Sequence, residues 1–160
     1  MSVKLWQLIT LVVGALALTM ESAHVLELPQ KLMYDATMYR AVNGTLYRYF
    51  AIVGGAYQIG SIVAAGILLY LMRGQQTPFR WTLAGFALLV AAFVGWLVVV
   101  QPVNSQAAAT LRDAPATLPE MWLRLRTRWE YGHTLGFIFQ LLGFTALAYS
   151  VIADSPSARR

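Results

Sequence analysis

Two Glu-x-x-His motifs are the part of this sequence whose residue types and spacing best suit chemistry. The first joins Glu21 to His24, with Glu27 three residues further on, and the second joins Glu130 to His133. Residues three apart lie on one face of a helix, so each motif would present a carboxylate and an imidazole together. The chain has two histidines, and both belong to these motifs. If the two helices are neighbours, both histidines and up to three carboxylates converge.

Imidazole and carboxylate groups from facing helices are the ligands of metal sites in helical bundles. Standard di-iron and di-manganese sites also take a Glu from each of two further helices, and the other apolar stretches of this chain contain none. The sequence therefore predicts one metal ion, or two under-ligated ions completed by water. The ligand types suit iron, copper, manganese and zinc alike. The predicted metal ligands are Glu21, His24, Glu27, Glu130 and His133.

Two other interpretations of the motifs stay open. Histidines on two different helices also suit the axial positions of a b-type haem, although carboxylates on the same faces are unfavourable beside a porphyrin. In a purely structural interpretation, Glu27 and Glu130 are solvated near the lipid headgroups or paired with basic residues, and the histidines are only hydrogen-bonded. Those basic residues are Lys31, Arg126 and Arg128.

The composition indicates a membrane protein. The 160 residues are 58% hydrophobic and 12% charged, whereas soluble domains are about 45–50% apolar and about 25% charged. So little charge cannot coat a soluble globule, and the chain is too apolar to be disordered. Absence of cysteine excludes disulfides, thiolate metal sites and iron–sulfur clusters. The net charge of +5 is weak evidence for nucleic acid, since the basic residues form no stripe, and we predict no such partner.

Four apolar stretches reach the roughly 20 residues that a spanning helix needs. We therefore predict an all-α, integral membrane four-helix bundle that forms a single domain in the lipid bilayer. Pro29 is expected to end the first helix, and Pro102 with a loop up to Pro119 to separate the third from the fourth. Residues Pro119–Glu130 repeat apolar side chains at helical spacing and predict an amphipathic extension before the fourth span. The predicted helices are residues 5–28, 46–72, 79–100 and 119–153.

The charges also suggest an orientation. Four spans place both termini on one side, and the short flanks on that side concentrate their basic residues, which favours cytoplasmic termini. Six of the seven acidic residues and both histidines lie towards the opposite face, where we expect the site. The first stretch could be taken for a secretory signal, but Glu21 stands where a cleavage site needs a small residue, which favours a retained helix.

Few polar side chains remain in the spans to bind a substrate. Gln140 follows His133 by seven residues and so shares its helix face. Tyr57 and Gln58 lie near the middle of the second span, and Asn104 follows the third. These four are the candidate substrate-binding residues, although a glutamine within a span suits a hydrogen bond between helices equally well.

The sequence resembles a known family in three segments. A histidine precedes a Leu-Glu-Leu-Pro segment in His24–Pro29, and a Pro-x-Asn motif follows the third span at Pro102–Asn104. The third segment, Trp122–His133, reads Trp-x-x-x-Arg-x-Arg-Trp-Glu-x-x-His, with a somewhat different spacing from the family's. With four spans in this length, the chain is similar to the anthrone oxygenase-like family of small membrane proteins over nearly its whole length.

The resemblance implies an oxidoreductase that oxidises the activated carbon of an anthrone-like or other small phenolic substrate with dioxygen. His24 or His133 would be the general base, Arg128 would stabilise the anion, and a bound metal would activate dioxygen. Two other function classes stay open, a non-enzymatic accessory subunit of a membrane complex or homo-oligomer, and a b-type haem protein. The positions that match the family are His24, Glu27, Asn104, Arg128, Trp129, Glu130 and His133.

Overall fold

The computed structural model describes residues 2–154, and within that range every regular element is helical. One π-helical turn, Trp96–Val100, joins α4 to α5, and a 3-10 turn, Pro115–Thr117, precedes α6. The α-helices are α1 (Val3–Lys31), α2 (Ala36–Thr45), α3 (Phe50–Met72), α4 (Gln76–Gly95), α5 (Gln101–Asp113) and α6 (Leu118–Ala153).

Four helical stretches are long and apolar enough to cross a membrane. They are α1, α3, the continuous run from α4 through the π turn to α5, and α6. Large apolar side chains such as Leu8, Ile59 and Leu142 are exposed on their outer faces, as expected where lipid, rather than protein, covers a helix. The predicted all-α bundle is confirmed, and its four apolar helices are consistent with an integral membrane protein.

The four spans form a ring in the order α1, α3, α4, α6, and α6 also packs against α1. The α4–α6 interface is the most extensive, because glycines let the two backbones approach closely. A Cβ added to Gly85 would lie 2.6 Å from Leu147 Cγ and 2.9 Å from the Gly143 carbonyl oxygen. The packing of α1 against α6 confirms the adjacency on which the convergence of the two Glu-x-x-His motifs depends.

Two proline-based predictions were wrong. α1 does not end at Pro29 but continues to Lys31, since a proline in the last turn removes only one amide donor while packing holds the helix. The segment after Pro102 is not a loop but α5, which prolongs the third span. Pro102 lies in the first turn of α5, where its fixed φ is favourable.

The connection between the first and second spans also contains a helix, α2, which is not among the four predicted helices. Asp35 caps α2, because its side chain accepts a hydrogen bond of 2.8 Å from the Met38 amide and satisfies one of the unpaired N–H groups of the first turn. α2 packs against α6 and buries Tyr39 there.

The 36 residues of α6 would extend about 54 Å, well beyond the roughly 30 Å hydrocarbon core of a bilayer. The predicted amphipathic extension, Pro119–Glu130, forms the N-terminal part of α6. It packs against α2 and α5, and it carries both Trp129 and Glu130 into the protein interior. The end of the bundle that holds the candidate site is thus enclosed by helices on several sides.

Candidate functional site

The two Glu-x-x-His motifs meet between α1 and α6. The rings of His24 and His133 stack with their centroids 3.9 Å apart and their planes 22° from parallel. His133 Nδ1 lies 2.8 Å from Glu21 Oε2. All three side chains are buried. The structure therefore brings together one carboxylate and both histidines of the predicted set.

The contact between Glu21 and His133 has a definite chemical consequence. A carboxylate beside Nδ1 favours the imidazole tautomer that carries its proton on that nitrogen. The other ring nitrogen, Nε2, then keeps a lone pair. The carboxylate would also stabilise the imidazolium that forms when Nε2 takes up a proton, so His133 has the surroundings of a general base.

His24 lies in an aromatic stack. One face packs on His133, and Tyr47 stacks at 4.6 Å with an interplanar angle of 20°. Trp129 and Phe50 approach edge-on, with centroids 5.0 Å and 5.7 Å from the His24 ring. Within residues 2–154, His24 Nδ1 has no hydrogen-bond partner. A buried nitrogen without a hydrogen-bond partner is unfavourable.

The histidines form part of the wall of a cavity of about 320 Å³. Glu21, Asn43 and Tyr47 also contribute to the wall. A cavity of this volume suits one small ligand. Most of the remaining lining is apolar and aromatic, and its rings are those of Phe50, Phe93, Trp96, Trp122 and Trp129.

Three of the four candidate substrate residues line this cavity, namely Gln58, Asn104 and Gln140. Tyr57, the fourth, is half-buried and is not among the lining residues. Asn104 also has a positioning role, because its Oδ1 accepts a 2.9 Å hydrogen bond from Trp129 Nε1. That bond holds the indole ring beside both histidines.

Glu27 and Glu130 belong to a neighbouring charged network. Glu130 Oε1 accepts a 2.8 Å hydrogen bond from the Tyr39 hydroxyl and lies 3.4 Å from Lys31 Nζ. Lys31 Nζ is also 3.6 Å from Glu27 Oε2, which accepts a hydrogen bond from the Tyr47 hydroxyl. The side chains of Lys31 and Glu130 are 1% and 0% exposed. Glu27 and Glu130 are thus both paired with Lys31, as in the purely structural interpretation of the two motifs.

Tyr39 holds this network from outside the spanning helices. Burial, followed by the negative charge of Glu130, raises the pKa of the Tyr39 phenol well above its ordinary value. The hydroxyl therefore stays protonated and donates to Glu130 throughout the physiological pH range. Through this bond α2 is attached to α6.

The arrangement does not assemble a metal ligand set. Among residues 2–154, no group of three or more His, Asp and Glu side chains is placed to hold a metal ion. The predicted ligands divide between the Glu21–His133–His24 group and the Lys31 network. Two imidazoles stacked at 3.9 Å also leave no room for a porphyrin between them. In this arrangement the predicted ligands therefore form no single set among residues 2–154, and the binding of a metal ion or a haem stays a prediction from the sequence.

Arg128, the proposed anion-stabilising residue, is exposed and is not among the residues that line the cavity. Its Nε donates to the Val99 carbonyl and its Nη2 to the Val98 carbonyl, each at 3.1 Å. In an α-helix the residue four positions after Val98 would donate its N–H to the Val98 carbonyl, but that residue is Pro102, which has no N–H. Arg128 supplies a donor to this carbonyl instead. The π turn that it supports begins at Trp96, which lines the cavity.

Sequence reasoning missed three contributors, Tyr39, Asn43 and Tyr47, as site residues. Tyr47 and Asn43 line the cavity, and Tyr39 bonds to Glu130. They follow one another at intervals of four residues. Tyr39 and Asn43 share a face of α2, and Tyr47 lies in the turn that follows α2. This four-residue spacing of polar and aromatic side chains could have indicated residues that face the site, but only if the segment around Tyr39 had been predicted as a helix.

Comparisons of the chain with protein-family models, curated proteins and solved structures returned no match. The likeness to the anthrone oxygenase-like family therefore stays a prediction from the sequence motifs.

Proposed function

We propose that the chain is a membrane-embedded, anthrone oxygenase-like oxidoreductase, which binds a small phenolic or anthrone-like molecule in the 320 Å³ cavity and brings it to react with dioxygen. The observation that carries the proposal is the 2.8 Å contact between His133 and Glu21 in the wall of an aromatic cavity. It supports proton abstraction from a weak acid, because a carboxylate-supported imidazole is a typical general base.

In the proposed reaction, His133 Nε2 takes a proton from the activated carbon of the substrate, and Glu21 stabilises the resulting imidazolium. The electron-rich anion then reacts with dioxygen. Overall, a methylene group and one dioxygen molecule give a carbonyl group and one water molecule: the carbon loses four electrons, one oxygen atom enters the product and the other leaves as water. Apolar walls exclude water and strengthen the electrostatic contribution of Glu21.

The aromatic lining supports a flat, apolar substrate. Such a molecule dissolves in the bilayer, so we propose that it reaches the cavity from the lipid side. His24 contributes to the cavity wall between the rings of His133 and Tyr47, and we propose that a phenolic hydroxyl group of the substrate pairs with its Nδ1, which has no partner within residues 2–154. Asn104 maintains the position of Trp129 at the same wall.

The test is oxygen consumption by purified protein in lipid nanodiscs, with anthrone as the probe and empty nanodiscs as the background. We expect consumption above background, with one dioxygen used per quinone formed, and its loss in His133→Ala. A folded protein that consumes no oxygen above background would overturn the proposal. Other membrane proteins that co-purify with it would then favour the accessory-subunit alternative.

The predicted cofactors need their own measurement, since the residues here do not form a ligand set. Elemental analysis of the purified protein would detect iron, copper, manganese or zinc, and the absorption spectrum would detect haem. A metal near one equivalent that is lost in His24→Ala/His133→Ala would establish the metal prediction. An equal metal content in both proteins would count against these histidines as ligands.

The proposed orientation, with cytoplasmic termini and the site near the opposite face, is also open to test. The chain contains no cysteine, so single cysteines can be introduced without a background. In intact cells, a membrane-impermeant maleimide should label Thr117→Cys, beside the site end of α6, and not Ser2→Cys. The reverse labelling pattern would invert the orientation.

A further inference from the structure

The deep end of the cavity contains polar groups that the proposed proton transfer does not use. Gln140 on α6 is 2% exposed and lines the cavity, and its Oε1 has no hydrogen-bond partner within residues 2–154. Gln58 on α3 is also buried and also lines the cavity. A buried amide left without a partner is unfavourable, so the structure has a position that a ligand's polar group would satisfy.

The depth of this position follows from helix geometry. Gln140 is seven residues beyond His133 on α6, which corresponds to about 10 Å along the helix. Gln58 is eight residues beyond Phe50 on α3, or about 12 Å, and Phe50 contacts the His24 ring. Since α3 and α6 both run inward from the histidine end, the two amides lie at a similar depth, on the far side of the cavity from His133.

Between these two levels the lining is mixed. Gly54 lines the cavity four residues beyond Phe50 and offers no side-chain hydrogen-bonding group. The Glu21 carboxylate also lines the cavity there, and it lies 3.5 Å from the position of a Cβ added to Gly136, three residues beyond His133. The cavity volume of about 320 Å³ lies at the lower end of the range of about 300–1,000 Å³ that is typical of small-molecule sites. A flat molecule of about two or three fused rings matches these dimensions.

Building on the proposed function, we infer that the cavity selects a ligand with polar groups at both ends: one faces His133, and the other is hydrogen-bonded by the Gln140 amide. The substrate class is therefore a fused aromatic molecule that carries a hydroxyl group at the end remote from the reacting position. The unpaired atom is Gln140 Oε1, which only accepts a hydrogen bond, so the ligand's remote group must be a donor.

The test compares two ligands that differ only at the remote end, 2-naphthol and 2,6-dihydroxynaphthalene, by equilibrium dialysis against protein in detergent, with empty micelles subtracted. We expect the dihydroxy compound to bind about tenfold more tightly, because only it satisfies the buried amide. In Gln140→Met, which keeps the side-chain length but removes the amide, the preference should fall to about onefold while the affinity for 2-naphthol is kept.

Gln106→Met is the matched control, because Gln106 is exposed on α5 and does not line the cavity; it should keep the full preference. Equal binding of the two ligands by the unmodified protein, an unchanged preference in Gln140→Met, or no binding of either ligand would each overturn the inference. These binding results do not depend on oxygen consumption. A retained preference without oxygen consumption would therefore refute the oxidoreductase proposal and leave the remote polar contact standing.

Discussion

His133 Nδ1 and Glu21 Oε2 lie 2.8 Å apart across the α1–α6 interface, although the two residues are 112 positions apart in the chain. Each belongs to a different Glu-x-x-His motif. The carboxylate of the second motif, Glu130, contacts Lys31 and Tyr39. The carboxylate that supports His133 is thus supplied by the opposite helix and not by its own motif.

Replacement of Glu21 by glutamine should separate this pair from a merely structural contact. Glu21→Gln keeps the size of the side chain but cannot stabilise an imidazolium, so we expect oxygen consumption to fall about 100-fold, within the usual range of a general base. Glu120→Gln is the control, because Glu120 lies in the exposed first turn of α6. Unchanged consumption in Glu21→Gln, with the thermal melt also unchanged, would show that Glu21 does not assist proton transfer.

The buried Lys31–Glu130 pair should be important for stability. Lys31→Met leaves Glu130, whose side chain is 0% exposed, without its cation, and the loss of one partner of a buried pair costs about 3–5 kcal/mol. The double variant Lys31→Met/Glu130→Gln should be less destabilised than the sum of the two single variants, because no unpaired charge remains. Unfolding in detergent measures all three.

The control for that experiment is the exposed pair of Arg112 and Asp113, whose side chains are 74% and 65% exposed. Arg112→Met should change the free energy of unfolding by about 0–1 kcal/mol, as is typical of surface ion pairs. Equal effects of Lys31→Met and Arg112→Met would contradict the assignment of a buried ion pair.

Close contact of α4 with α6 requires glycine at position 85. In Gly85→Ala the added Cβ would meet Leu147 and the Gly143 carbonyl oxygen, and we expect a loss of about 1–3 kcal/mol from overpacking. Gly95→Ala on the same helix meets nothing within 4 Å, and should be neutral or slightly stabilising because alanine favours helix. Thermal unfolding of the two variants under identical conditions decides the matter, and equal melting temperatures would refute the tight crossing.

Arg128 should act on the π turn of the third span and not on the substrate. Arg128→Gln removes the two donors to Val98 and Val99, so we expect faster amide hydrogen exchange around Trp96–Val100. Arg124→Gln, at an exposed position of the same helix, should leave exchange unchanged. Loss of oxygen consumption in Arg128→Gln with unaltered exchange would instead support the anion-stabilising role inferred from the family resemblance.

Much of the fold could be predicted from composition and periodicity. Apolar runs long enough to span a bilayer predict the four helices, because in hydrocarbon the backbone N–H and C=O groups can hydrogen-bond only to one another. The helix ends were less predictable. Pro29 and Pro102 stop a helix in many contexts, but here both are accommodated in terminal turns, and Arg128 compensates for Pro102 from a helix that is distant in sequence.

By itself, the sequence determined that six of the seven acidic residues and both histidines lie towards one end of a four-helix bundle. Only the tertiary structure decided how these residues pair. Glu21 contacts His133, while Glu130 contacts Lys31, since spacing along one helix defines a face but not its partner on another helix. That choice depends on the rotation and depth of α1 against α6, which long-range packing of the whole bundle sets.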